Sequence, residues 1–206
     1  MSMLKTRFAL RGAALALVSL LFVPAALAAP KIGQPAPAFE VRSSAGNTVK
    51  LADFKGKFVV LEWTNDGCPF VQKHYHGNMQ SLQKGATEKG AVWLSVISSA
   101  PGKQGHVSAA QADELSRSRK AAPTAVLLDE SGDVGRLYEA KTTPHMFIVD
   151  PQGTLVYAGG IDSIPSADPD DIPKAKAYVR VALDEAMSGK TVGEPLTKPY
   201  GCSVKY

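Results

Sequence analysis

Two cysteines carry the reactive potential of this chain: Cys68, in Asn65-Asp66-Gly67-Cys68-Pro69-Phe70, and Cys202, in Gly201-Cys202-Ser203-Val204-Lys205. The first lies between an apolar run, Lys57 to Thr64 (KFVVLEWT), and a segment of helical character. A thiol at a strand-to-helix junction meets the unpaired amides of the first helical turn and the positive end of the helix dipole, and both favour thiolate over thiol. Such surroundings lower a thiol pKa from about 8.5 to as little as roughly 3.5. Pro69 falls at the first helical turn, where proline is tolerated, and Gly67 is expected to permit a tight turn that exposes the sulfur. The chemistry on offer is nucleophilic attack by sulfur. One thiol alone forms a mixed disulfide and stalls unless a second resolves it. Cys202, 134 residues downstream, is the other thiol of the chain. It is read as a resolving or pairing thiol, with Cys68 of the same chain, Cys68 of a second chain, or a static structural disulfide as the alternatives. Closing so long a loop from a random chain costs about 4–5 kcal/mol, so an internal pair requires the folded domain to hold the tail near Cys68.

Other side chains could assist. Glu62 sits inside KFVVLEWT, and a carboxyl held in an apolar strand has a raised pKa, suited to proton transfer near neutral pH. The histidines His74, His76, His106 and His145, with Cys68, raise a rival reading as a copper- or other metal-binding domain. At ~100° per residue His74 and His76 point in opposing directions on a regular helix and cannot grip one ion unless Gly77 distorts it. These two and His106 are read as surface or hydrogen-bonded residues. His145, beside Pro144, is the histidine expected to approach Cys68. Asp162, Asp168, Asp170 and Asp171 lack the glycine-centred spacing of a calcium loop and are read as solvated. No metal site and no cofactor are assigned.

The elements that must position these residues alternate in type. A hairpin is expected from Phe39-Glu40-Val41 and Asn47 to Leu51, across Ser43 to Gly46. KFVVLEWT and Ala91 to Ser98 (AVWLSVIS) read as strands buried on both faces. A helix is expected from Cys68-Pro69 to about Lys84, a second from Gln111 to Lys120 introduced by Ser108, and a short one from Val134 to Glu139. Thr124 to Leu128 is a further strand. Met146 to Asp150 and Thr154 to Ala158 form a hairpin turning at Pro151-Gln152-Gly153. Pro165 to Pro173 reads as an acidic, proline-rich loop. Lys174 to Ser188 is an amphipathic helix stopped by Gly189. The prediction is a three-layer α/β sandwich, a central mixed sheet flanked by helices with an N-terminal hairpin, over residues 29–189, followed by a tail, 190–206, that carries Cys202.

These motifs in this order resemble the thioredoxin-fold redoxins, and more closely the peroxiredoxin-like group related to alkyl hydroperoxide reductase and thiol-specific antioxidant. The likeness rests on Gly33-Gln34-Pro35-Ala36-Pro37-Ala38-Phe39, Leu51-Ala52-Asp53-Phe54-Lys55-Gly56-Lys57, the Cys68 segment, Thr142-Thr143-Pro144-His145 and Gly201 to Lys205. The resemblance implies that Cys68 is the reactive thiol and Pro144 a cis-proline facing it. It also implies that Thr143 offers its backbone to an extended thiol-bearing partner as an added strand. Glu62, six residues before Cys68, stands where thioredoxins keep a proton-relaying acid. Two departures bear on activity. Val71 replaces the second cysteine of a CxxC pair, so no local exchange cycle is possible. Leu61 and Asn65 replace the proline and the hydroxyl residue that precede a peroxidatic cysteine in typical peroxiredoxins. Disulfide exchange is therefore the leading reaction and peroxide reduction the alternative. A metal-binding or non-catalytic interaction domain is the reading from another class.

Composition narrows the setting. The 206 residues are 45% hydrophobic and 20% charged with a formal net charge of +4, ordinary for a globular chain. Lys5, Arg7 and Arg11 lie in the first 28 residues, which hold no Asp or Glu. Without that stretch the excess is about +1, which argues against nucleic-acid binding. The apolar run Ala13 to Val23 followed by Ala26 and Ala28 reads as a signal peptide cleaved after Ala28. The mature chain is expected in the periplasm or another exported compartment, off the membrane. Its expected partner is a protein thiol, disulfide or reductant, and its expected state a monomer or a disulfide-linked dimer.

Overall fold

The computed structural model describes residues 30–206; the predicted signal, residues 1–28, lies outside them. Five strands form the central sheet: β3 (Val59–Trp63), β4 (Val92–Ile97), β5 (Ala125–Leu128), β7 (His145–Val149) and β8 (Leu155–Gly159), in the order β5-β4-β3-β7-β8. β3 runs parallel to β4 and antiparallel to β7. Every residue of β3, β4 and β7 is buried, as near-continuous apolar strands require when helices cover both faces. The pleat then sorts β3 by parity. Val59, Leu61 and Trp63 join one core with Leu94, Phe147 and Tyr138. Val60 joins the other with Met79, Trp93, Ile148 and Leu183. Glu62 shares the parity of Val60 and so faces the second layer.

On the first face lie the hairpin β1 (Glu40–Arg42) and β2 (Thr48–Lys50), through Phe39 and Val49, and α4 (Asp133–Leu137), through Val134. α2 (Asn78–Glu88) and α5 (Tyr178–Met187) pack on the second face through Met79, Leu82, Val179 and Leu183. α3 (Ala109–Ser118) sets Ala112 against Ile97 and Val126. Ser108 does introduce this helix. Its Oγ accepts from the Gln111 amide at 3.3 Å, while its own amide donates to Gln111 Oε1 at 2.8 Å, a reciprocal cap. This is the expected mixed-sheet α/β sandwich with an N-terminal hairpin.

Three local expectations are corrected. The single helix predicted from Cys68 to about Lys84 is two, α1 (Pro69–His74) and α2, because Gly77 adopts φ +114°, a conformation that an L side chain resists. The break turns Tyr75 inward toward β3. The acidic loop contains a 3₁₀ turn, Pro169–Lys174, and α5 begins at Tyr178 rather than Lys174, because Pro173 and the extended Ala175 end the turn first. Asp162 is not solvated: it is 4% exposed beneath α1, among Lys73 and His74. Among the described residues no helix is long and apolar enough to cross a membrane.

The tail forms structure of its own. β9 (Cys202–Ser203) pairs antiparallel with β6 (Thr142–Thr143), placing Cys202 opposite Thr143. Upstream, the Ala158 amide donates to Pro195 O at 3.0 Å and the Thr197 amide to Ala158 O at 3.1 Å, stitching the tail along the β8 edge of the sheet.

Candidate redox site

The loop that ends β3 carries Cys68 at the N-cap of α1. Asn65 shapes it: its Oδ1 accepts from the Gly67 amide at 2.9 Å and its Nδ2 donates to Gln104 O at 3.0 Å. The Cys68 amide donates to Asn65 O at 3.1 Å, closing the turn. Gly67 leaves room for Gln104, whose Nε2 donates to Gly67 O at 2.9 Å and would lie 2.8 Å from a Cβ there. Asp66 pairs with Arg119, whose guanidinium also lies over the Tyr75 ring at 4.6 Å. The ion pair ties the loop to the segment after α3.

The sulfur of Cys68 is 0% exposed, so the expectation of an open thiol is overturned. The tail lies against it through Cys202. The Thr143-Pro144 peptide is cis, and the Cys68 thiol donates to Thr143 O at 3.0 Å. Cys202 lies across from Thr143, in hydrogen-bond contact with Cys68, and both thiols are free. Burial pushes the Cys68 thiol up. Hydrogen bonds to its anion from the Cys202 thiol, the Thr143 hydroxyl, the Cys202 amide and the Val71 amide outweigh that, so Cys68 ends below the ordinary thiol value. Thr143 Oγ1 is buried with no other partner, and so is free to donate to the anion. Cys202 moves the other way, to about 11, by burial and by donating its hydrogen to Cys68. Of the hydrogen bonds to the Cys68 anion, the one from the Cys202 thiol is the largest and the one from the Val71 amide of α1 the smallest. By the inequality of the two thiols Cys68 is the sulfur more readily held as thiolate, and Cys202, the less buried residue, is the one that keeps its proton.

Glu62 is fully buried and fully bonded. Its Oε1 accepts from Tyr75 Oη at 2.7 Å, and its Oε2 from Trp93 Nε1 at 2.7 Å, Ser95 Oγ at 3.0 Å and Gln83 Nε2 at 3.2 Å. Burial raises its pKa against the four donors, which lower it. A Glu62→Ala variant is expected to lose about 3–5 kcal/mol of stability, since it strands four buried donors. Glu62→Gln is expected to lose about 1 kcal/mol, because its amide oxygen can serve Trp93 and Ser95 while its amide nitrogen donates to Tyr75 Oη. Denaturant titration of both variants checks the contrast, and equal losses would show that the carboxylate charge itself is required.

His145 does not reach Cys68. Its Nδ1 accepts from the Lys141 amide at 3.2 Å and its ring packs on Phe147 at 4.4 Å between centroids. Burial holds its pKa at about 3, so the ring is neutral and lends the thiolate no charge. Pro69 opens α1 as expected, while His76 is exposed and His106 faces Glu130 at 3.6 Å. Among the described residues no three His, Cys, Asp or Glu side chains converge as a metal-binding group.

Sequence reasoning missed a buried polar cluster under α1. Lys73 and His74 are 1% and 0% exposed, and each lies 3.7 Å from Asp162 Oδ2. Tyr200 Oη donates to Asp162 Oδ1 and lies 3.1 Å from His74 Nε2, while Asn78 Nδ2 donates to His74 Nδ1 at 2.8 Å. Burial lowers the His74 pKa to about 4, with Lys73 adding to the effect and Asp162 opposing it, so the ring is neutral. Its Nδ1 accepts, so its Nε2–H donates to Tyr200. The only signal in the sequence was Tyr200 standing two residues before Cys202.

The AhpC/TSA family pattern matches residues 32–158. An uncharacterized conserved protein from Geobacillus kaustophilus is similar at 27% identity and a TM-score of 0.75, over 85% of this chain and 92% of that one. A thiol:disulfide interchange protein from Bacteroides sp. is similar at 26% identity and a TM-score of 0.51, over 63% of this chain and 81% of that one. Among curated proteins, peroxiredoxin Bcp of Bacillus subtilis (strain 168) is 40% identical over 53 residues, 21% of this chain and 34% of that protein. The match therefore spans about a third of that relative's length.

Proposed function

The chain belongs to the AhpC/TSA family, as a redoxin of thioredoxin-like fold, and from that membership we propose that it is an exported thiol-disulfide oxidoreductase with Cys68 as nucleophile and Cys202 as its resolving thiol. One observation carries the reading: Cys202 is paired opposite Thr143, at the cis-proline, in contact with Cys68. The Cys68 thiolate attacks a partner disulfide; that S–S bond breaks, and the partner's far sulfur leaves with the electron pair. Cys202, once deprotonated, attacks Cys68 in the mixed disulfide and releases the partner's second thiolate. The Cys68–Cys202 disulfide remains, and the two electrons have passed to the partner. An external dithiol restores the pair: its first thiolate attacks Cys202, the less buried of the two residues, with the low-pKa Cys68 as leaving group, and its second thiolate breaks the resulting mixed disulfide, freeing Cys202 and leaving the reductant as a disulfide. Glu62, buried with a raised pKa and bonded to the Tyr75 and Ser95 hydroxyls, is the residue assigned to hold protons for these steps. Export rests on the signal-like residues 1–28.

Peroxide reduction is the second reading, favoured by the family and by the Bcp match. Against it, Asn65 stands where a peroxide-holding hydroxyl is needed, and both ends of its amide are spent on Gly67 and Gln104. Stopped-flow mixing of the reduced protein with hydrogen peroxide and, separately, with a peptide disulfide tests the choice. The disulfide is expected to yield the Cys68–Cys202 pair, identified by non-reducing peptide mapping, while peroxide reacts within about tenfold of an ordinary thiolate. Peroxide reactivity orders of magnitude higher would overturn the assignment in favour of a peroxidase.

A further inference from the structure

We propose that the groove filled by Tyr200–Tyr206 is the docking site for the disulfide partner, and that this partner presents an extended aromatic-glycine-cysteine segment of which the chain's own strap is a built-in copy. The inference rests on the redox reading of Cys68 and adds what the partner looks like.

The groove reads its occupant at several positions. Opposite Thr143 it takes cysteine, set against Cys68. One residue before, it takes only glycine: Gly201 has φ +134°, and a Cβ there would lie 2.0 Å from Thr143 O. Two residues before, it takes an aromatic ring with a hydroxyl. Tyr200 packs edge-on to Phe70 with centroids 5.9 Å apart, lies 5.7 Å from Lys73 Nζ, and donates its hydroxyl to buried Asp162. Backbone bonds then carry the strand onward, from the Val204 amide to Lys141 O at 3.2 Å and from the Ala100 amide to Lys205 O at 2.8 Å. Four residues after the cysteine a second ring is received. Tyr206 fills the space that a Cβ on Gly132 or Gly135 would need, 2.5 and 2.4 Å away, lies under Arg136 at 4.9 Å, and donates to Ala140 O at 2.8 Å.

Lys73, His74 and Asp162 are costly to bury, and together they form a receptor for the ring at the second upstream position. Strap and partner therefore compete for one edge. The partner docks when the strap lifts and forms its mixed disulfide with Cys68. The returning strap brings Cys202 to expel it, with the bond changes given above.

The test uses the full chain carrying Cys202→Ser and Gly201→Ala, which releases the strap, and Cys202→Ser with Tyr206→Ala as a second strap-weakened protein should the first not fold. Each is mixed with the peptide Pro-Tyr-Gly-Cys-Ser-Val-Lys-Tyr, its cysteine capped by thionitrobenzoate, so that attack by Cys68 releases the coloured thiolate. Replacing the peptide glycine by alanine is expected to slow release about 100-fold, and replacing the tyrosine before it about tenfold. With the strap intact, in Cys202→Ser alone, release from the parent peptide is expected to fall about tenfold or more. Equal rates for all three peptides, with rapid reaction toward the bis-thionitrobenzoate disulfide, would overturn the docking inference and leave Cys68 as nucleophile. Failure of Cys68 to react even with that small disulfide in a folded strap-released protein would overturn the redox reading, and this inference with it.

Discussion

Cys202→Ser is expected to complete one round of disulfide exchange and then stop, with the partner held on Cys68, while Cys68→Ser does nothing at all. The wild-type chain holds its second sulfur in a strand register that places it against the first. Intramolecular delivery of that kind far exceeds any millimolar external thiol in effective concentration, so multi-turnover reduction of a peptide disulfide should drop at least about 1,000-fold. Mass spectrometry of the quenched reaction should show the mixed disulfide accumulating. Turnover undiminished in Cys202→Ser would assign resolution to the reductant instead. The same residue has an electrostatic role that a second variant separates. Serine keeps a hydroxyl that can donate to the Cys68 anion, whereas alanine keeps none. In Cys202→Ala the Cys68 pKa is therefore expected to rise above its wild-type value, and in Cys202→Ser to rise less, as read from the pH dependence of thiolate absorbance.

Gly201→Ala is expected to uncover Cys68. Cys68 is fully buried with Cys202 of the strap in hydrogen-bond contact with it, so a small alkylating reagent is expected to reach the sulfur when the strap opens. Local opening of this kind is worth a few kcal/mol, and each 1.4 kcal/mol is about tenfold in the open population. An alanine methyl would meet Thr143 O and would require φ +134°, removing about 3 kcal/mol from the closed state. Alkylation of Cys68, measured in a Cys202→Ser background so that one thiol is counted, should rise about 100-fold. Global stability should fall by no more than the same roughly 3 kcal/mol, since the closed form is the native state and Val204 and Tyr200 of the strap pack against its two main cores. An unchanged alkylation rate would mean that the sulfur is reached by another route.

Much of the architecture was legible because its causes are local. KFVVLEWT and AVWLSVIS read as buried strands from their own residues, and Ser108 announces its helix by a cap three residues deep. The single helix drawn through Gly77 failed for a local reason that propensity underweights, one left-handed residue between two short helices. Other features had no local sign. Asp162 reads as one more surface acid until Lys73, His74 and Tyr200 arrive from two other segments. His145 sits next to the cis-proline in sequence, yet its ring turns to Phe147 and the Lys141 amide, because the pleat of β7 sends it to the face opposite Glu62.

By itself the sequence determined the fold class, the family, and a thiol at a strand-to-helix junction followed by a Thr-Pro at the head of a later strand. These follow from residue types within a few positions of one another. Only the tertiary structure decided which sulfur is covered and which is half-exposed, what holds the anion, and what occupies the edge at Thr143. Each of these depends on bringing residue 202 back to residues 68 and 143 in one register. A register between distant strands is chosen by packing at both ends of the strap, in this case two tyrosines in two separate pockets, and no pattern within either segment encodes it.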